Sequence, residues 1–211
     1  DETPEKKLTV INAKGAAKDY SLNVAATKWD IQDIKGIPQK KVTPSAADQN
    51  EIGRERGDLK KALADKLNKN YWEKGFVMPV KGRISGHFGG QRIMNGRKMN
   101  PHQGTDIAAP EGTPVKAASN GIIRLSGGNY FYSGNTVVID HGHQLFTIYA
   151  HLKKVSVKAG DYVRQGQVIG EVGKTGRVTG PHLHWGASLN GVRFTPESLL
   201  HMNNADFCFN L

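Results

Sequence analysis

Cysteine occurs once in the 211 residues, at Cys208. An intramolecular disulfide and a zinc knuckle built on paired cysteines are therefore both excluded, and the lone thiol is expected to be a small, partly buried side chain. Long apolar runs are missing as well. None approaches the roughly 18 residues a helix needs to span a bilayer, so no transmembrane segment is expected and the chain should be soluble. It begins at Asp1 and not at methionine, as expected of a processed or trimmed start whose targeting segment would lie outside it. Aromatic residues are sparse at 8%. No cluster of Arg and Lys interleaved with aromatics stands out, which sets nucleic acid aside as a partner.

Acidic residues are the other scarcity: 19 Asp and Glu face 29 Lys and Arg, a net charge of +10. The surplus is uneven, with 15 basic against 12 acidic residues in 1–80 and 14 against 7 in 81–211. Such a field speeds encounter with an anionic partner without naming it; an acidic lipid surface and an anionic cell-wall polymer both fit. What is plentiful is glycine, 25 residues, beside 9 prolines, a globular composition tilted toward turns and hence toward many short strands.

Three stretches differ in texture. Residues 1–44 carry Leu22, Val24, Trp29, Ile31 and Ile34 in extended pieces ending at Pro38, which need another surface to lie on. Residues 45–75 read as a helical linker, with Ile52, Leu59, Leu63 and Leu67 at helical intervals and Asp58 with Lys61 or Lys66 on the wet side. Ser45 suits the N-cap, but Gly53 and Gly57 weaken the first half, so a firm helix is predicted from about Asp58. From Phe76 to Leu211 short β-branched or aromatic runs alternate with Gly, Asn or Asp, predicting a mainly antiparallel β domain without an internal repeat. In QLFTIYAHL strict alternation puts Leu145, Thr147, Tyr149 and His151 on one face, and Phe146, Ile148, Ala150 and Leu152 on the other.

GKTGRVTGPHLHWG at 173–186 offers two incompatible chemistries. A phosphate loop fails: with Gly173 as its second glycine the first would fall on Val168, and no helix start follows to receive a phosphate. HLH is more promising, because residues two apart in a strand share a face and so aim His182 and His184 at one point. Alone it is weak. A second cluster, HQGTD at 102–106, adds His102 and Asp106 in a turn leading into strand. Imidazoles with a carboxylate suit Zn²⁺, and three protein ligands would leave the fourth tetrahedral corner for water, the arrangement of a catalytic site. The similar pair His141 and His143 borders a glycine turn and reads as solvated.

Together HQGTD at 102–106, YAHL at 149–152 and HLHWG at 182–186 resemble the lysostaphin-type (LytM-domain) zinc metallopeptidases that cut peptidoglycan peptides. FGGQR, AAPEGTPVKA, GNTVVIDHG and GDYVRQGQVIGEVGKTG extend the resemblance over about residues 76–196. It implies an antiparallel β-sheet peptidase domain preceded by an extended segment and a helix. It further implies that His102, Asp106 and His184 ligate one Zn²⁺ and that His151 and His182 are catalytic histidines beside the metal-held water. W-x-x-Q-x-I-x-G-I-P in the N-terminal segment looks like Gram-negative members, which implies peptidoglycan peptide stems as the partner, D-alanyl-diaminopimelate cross-links as the bond cut, and a periplasmic or secreted location. Residues 1–75 would then cover the cleft in a latent form. The rival expectations are a non-catalytic wall-binding or amidase-activating module on the same fold, and a lipoyl- or biotinyl-type carrier using Lys174, which leaves the His and Asp clusters unexplained.

Overall fold

The computed structural model describes residues 6–12, 14–22, 28–64 and 67–202; Val24, Lys66 and Cys208 lie outside them. A hairpin of β1 (Lys6–Ile11) and β2 (Ala17–Leu22) is followed by β3 (Ile31–Ile34), a single turn α1 (Gln39–Val42) and helix α2 (Asp48–Ala62). Then come β4 (Arg83–Gly86), β5 (Gln91–Met94), β6 (Arg97–Lys98), β7 (Thr105–Ala108), β8 (Pro114–Lys116), β9 (Gly121–Tyr130), β10 (Gly134–Asp140) and β11 (Leu145–Val155). The chain continues through β12 (Tyr162–Val163), β13 (Val168–Val172), β14 (His182–Leu189) and β15 (Val192–Phe194) to a 3-10 turn at Pro196–His201.

The mainly antiparallel architecture is as expected. One large sheet runs β12-β9-β10-β11-β14-β7-β4, with β13 joined to β11 and β8, and β15 joined to β14. A small second sheet, β3-β5-β6, includes the parallel pair β3–β5, which brings the extended N-terminal segment against the domain.

Alternation along β11 explains the layering. Leu145 and Tyr149 face a core with Ile107, Val137, Leu183 and Trp185, while Phe146 and Ile148 face the other way, packing with Val138 and with Ala62 of α2. Each such side chain taken fully out of water contributes roughly 1.5–3 kcal/mol. Helix α2 therefore covers the back of the sheet. Among the described residues, no helix is long and apolar enough to cross a membrane.

Three expectations need correction. The helix begins at Asp48, ahead of Asp58, and ends before Leu67. Burial of Ile52, Glu55 and Ala62 against the domain outweighs the weak propensity of Gly53 and Gly57, because tertiary packing supplies most helical stability. Its assigned cap position is Ala47, without a side-chain cap bond. Ser45 still helps: its N–H and hydroxyl both donate to Asp48 Oδ2, at 2.9 and 2.6 Å. Nor is Asp58 simply on the wet side, since it accepts the Tyr130 hydroxyl at 2.9 Å.

The strict alternation of β11 also breaks. Val137 opposes Tyr149 but Asn135 opposes Leu152, so two residues of β11 answer one of β10. His151 sits in this bulge at φ +65°. A bulge shifts the side-chain phase by one: Leu152 returns to the core of Tyr149, and His151 turns away from it. Tyr149 is accordingly a packed ring, its hydroxyl accepting from Ala118 N and from Thr147 Oγ1 at 2.9 Å each.

Finally, His141 is no solvated turn residue. It is fully buried, with its ring nitrogens on the Asn120 carbonyl at 2.6 Å and Thr147 Oγ1 at 2.7 Å. Burial lowers its pKa to about 4. His143 is exposed as expected.

Candidate metal centre

Strand pairing builds the centre. In the antiparallel register of β14 on β7, His184 lies opposite Asp106 and His182 opposite Ala108, so the two-residue spacing of HLH presents both imidazoles beside the carboxylate. His102 arrives from the turn before β7, pinned by reciprocal backbone bonds with the 89–90 turn, His102 N to Gly90 O and Gly89 N to His102 O. Gly104 makes the approach possible: a Cβ there would lie 2.7 Å from the His184 ring.

The result is a tight triangle. His102 Nε2 is 3.1 Å from Asp106 Oδ1, His184 Nδ1 is 2.9 Å from the same oxygen, and the two nitrogens are 3.0 Å apart. Among the described residues these three form the group able to hold a metal ion, and His102 and Asp106 are buried. Two of the three, His102 and Asp106, are steadied from behind, as metal ligands generally are. His102 Nδ1 meets the His87 carbonyl at 2.9 Å, a contact that makes Nδ1 the donor and leaves Nε2 with its lone pair. Arg92 donates to Asp106 Oδ2 and from its Nε to Gln32 Oε1 of β3 at 3.3 Å. Burial opposes ionisation of Asp106, but the facing imidazoles of His102 and His184 outweigh it and hold the carboxyl well below its usual range. Burial brings His184 down to about 4. The set thus offers an ionised carboxylate and the imidazoles of two histidines, the ligand types that zinc takes.

His151 and His182 stand beside the triangle, their ring centroids 4.8 Å apart, with His182 Nε2 3.8 Å from Asp106 Oδ1. A single loop orients both. His151 Nδ1 is 2.9 Å from the Thr175 carbonyl and His182 Nδ1 is 2.9 Å from that of Gly180, so each keeps Nε2 free. Burial, then the neighbouring imidazoles, push His151 well below its usual pKa. Its N–H is held by Ser133 O at 2.8 Å, and that turn is clamped from α2, where Glu55 accepts from Tyr132 N, Ser133 N and Ser133 Oγ at 2.7–2.9 Å.

All five singled-out side chains therefore meet in one place. Lys174, the carrier candidate, instead pairs with Glu111 at 3.5 Å. The sequence reading missed Arg92, Gln32 and Glu55 as supports of the site; the signals were that Arg92 closes FGGQR and that Gln32 is the glutamine of W-x-x-Q-x-I-x-G-I-P, both among the resembling stretches.

The profile of peptidase family M23 matches residues 100–196, a span that holds all five. A Pseudomonas aeruginosa structure described as a peptidase M23 is 31% identical with a TM-score of 0.70, covering 94% of this chain and 74% of its own. The chain belongs to peptidase family M23. The M23 likeness extends to a zinc-containing peptidase structure from Vibrio cholerae, 36% identical with a TM-score of 0.54 over 58% of this chain and 39% of that one. It also includes the peptidoglycan DD-endopeptidase ShyC of Vibrio cholerae, 37% identical over 154 residues, which are 68% of this chain and 35% of ShyC. The chain spans about a third of the length of the curated relatives it matches.

Proposed function

We propose that this M23 chain is a zinc-dependent endopeptidase that hydrolyses peptide cross-links of peptidoglycan, D-alanyl-diaminopimelate links in particular, in the periplasm or outside the cell. The observation that carries the reading is the convergence of His102 Nε2, Asp106 Oδ1 and His184 Nδ1 within 2.9–3.1 Å of one another, beside two further histidines with Nε2 uncommitted. Relatives named peptidoglycan DD-endopeptidases support the substrate class and a place of action beyond the cytoplasm.

His102, Asp106 and His184 would hold the zinc. Bound there it would supply Lewis acidity, lowering the pKa of water from 15.7 toward about 7 and polarising the peptide carbonyl. Proton traffic belongs to His151 and His182. With Nδ1 engaged by Thr175 O and Gly180 O, each can exchange a proton only at Nε2. One accepts a proton from the attacking water, and an imidazolium returns one to the leaving amine. Burial keeps His151 neutral near pH 7 and so ready to accept. A non-catalytic wall-binding module would need neither histidine held in this way.

The test is a digest of cross-linked muropeptide dimers with metal analysis on the same sample. Conversion to monomers by protein carrying about one zinc, abolished by exhaustive chelation and in His184→Ala, is the expected result. Undiminished cleavage by metal-stripped protein or by His184→Ala would overturn the reading.

A further inference from the structure

The loop that holds His151 and His182 through Thr175 and Gly180 also carries Arg177, whose N–H is fixed to Tyr132 O at 2.8 Å. Its guanidinium lies 4.4 Å over the Tyr132 ring and reaches the Lys41 carbonyl at 3.5 Å, the weak limit of a hydrogen bond. Among the described residues no carboxylate pairs with it. Glu55, the carboxylate whose charge acts on it, is already engaged by Tyr132 N and by Ser133. Its cationic neighbour Arg92 has Asp106; Arg177 has no such ion pair, and burial lowers its pKa, with Tyr132 and Glu55 favouring its charge and Arg92 opposing it. A half-buried guanidinium with five donors and no anion is an incomplete arrangement, because an unpaired charge taken from water costs more than the same charge paired. The planar fork of arginine matches a carboxylate bidentately.

We infer that Arg177 is a specificity residue that receives a carboxylate of the peptide substrate beside the scissile bond. This rests on the endopeptidase reading for the identity of the substrate. In a D-alanyl-diaminopimelate link the carbon bearing the amide nitrogen also bears a free carboxylate, so an anion stands next to the bond to be cut. Arg177 lies between the two residues whose carbonyls orient the histidines, so a carboxylate docked on it fixes the leaving-group side of the peptide relative to both imidazoles. Lys41, whose carbonyl Arg177 reaches, holds its own Nζ on the Phe131 carbonyl at 2.6 Å.

Two dimers test this, one with the diaminopimelate carboxylate free and one with it amidated, each offered to wild type, Arg177→Lys and Arg177→Gln; binding and cleavage are both measured. Wild type is expected to prefer the free carboxylate. Arg177→Gln should raise KM for that dimer roughly tenfold or more while changing kcat little, as loss of a charge-assisted hydrogen bond made equally in ground and transition states would do. It should erase the preference by leaving the amidated dimer unaffected, and Arg177→Lys should restore part of it. Zinc content and the thermal midpoint of each variant separate this from a disturbed loop: a variant that fails on both dimers alike overturns the proposal, and so does one indistinguishable from wild type. If wild type cleaves neither dimer, the endopeptidase reading falls. Binding then decides alone, with a free-over-amidated preference lost in Arg177→Gln upholding the carboxylate site and its absence refuting it.

Discussion

Arg92 donates to Oδ2 of Asp106 while Oδ1 of the same carboxylate faces His102 and His184. Each oxygen therefore has a separate task, one fixed by the protein and one turned toward the metal position. Replacing Arg92 with Gln should weaken zinc retention by about 10- to 100-fold, the usual effect of removing a partner that orients a ligand. Competition with a fluorescent chelator measures this directly. Gly86→Ala should act in the same direction, since its Cβ would fall 2.9 Å from Arg92 Nη2 and 3.1 Å from Asp106 Oδ2. Unchanged zinc affinity in both variants would reduce Arg92 to a bystander.

His151→Ala and His182→Ala should separate chemistry from metal binding. Neither side chain belongs to the triangle, so zinc content should stay near that of wild type. The turnover of cross-linked dimers should fall by about 100- to 10,000-fold, the range a positioned general acid or base contributes. Metal loss in parallel with activity would reassign the histidine as a ligand.

Acid should loosen the fold through His141. Its pKa is 6.5 in the unfolded chain and about 4 in the native one, so below pH 6.5 the unfolded state binds the proton first. The stability it contributes is complete above about pH 6.5 and is lost as pH falls toward 4, on the order of 3 kcal/mol when fully expressed. Thermal melts between pH 7 and 4 should show a falling midpoint. The slope should be shallower in His141→Asn, and an identical slope would remove His141 from the explanation.

Tyr149→Phe should cost stability but not metal. It leaves the buried Ala118 N–H without its acceptor, a penalty of about 1–3 kcal/mol, visible in denaturant midpoints with zinc affinity unchanged.

Four of the five meeting side chains were legible because their types and spacings are themselves the chemistry: HLH aims two imidazoles from one strand, and HQGTD supplies a third with the matching carboxylate, whereas His151 entered only through the resemblance carried by YAHL. The direction of His151 was not legible. A period of two carried it onto the face of Tyr149, and only the bulge opposite Asn135 and Val137 turns it away. His141 was misread for a related reason: DHGHQ has the composition of a wet turn, but its burial is decided by Asn120 and Thr147, which come from elsewhere in the chain. The early start of α2 likewise depends on what Ile52 and Glu55 meet across the molecule, which local propensity does not contain.

The carboxylate of Glu55 has a consequence for anyone wishing to shorten this protein. A fragment starting at Phe76, where the β-rich texture sets in, would discard the acceptor of three polar hydrogens in the turn that anchors His151. Such a trimmed chain would keep all five clustered side chains and lose the brace behind one of them, so a minimal working unit has to reach back through α2.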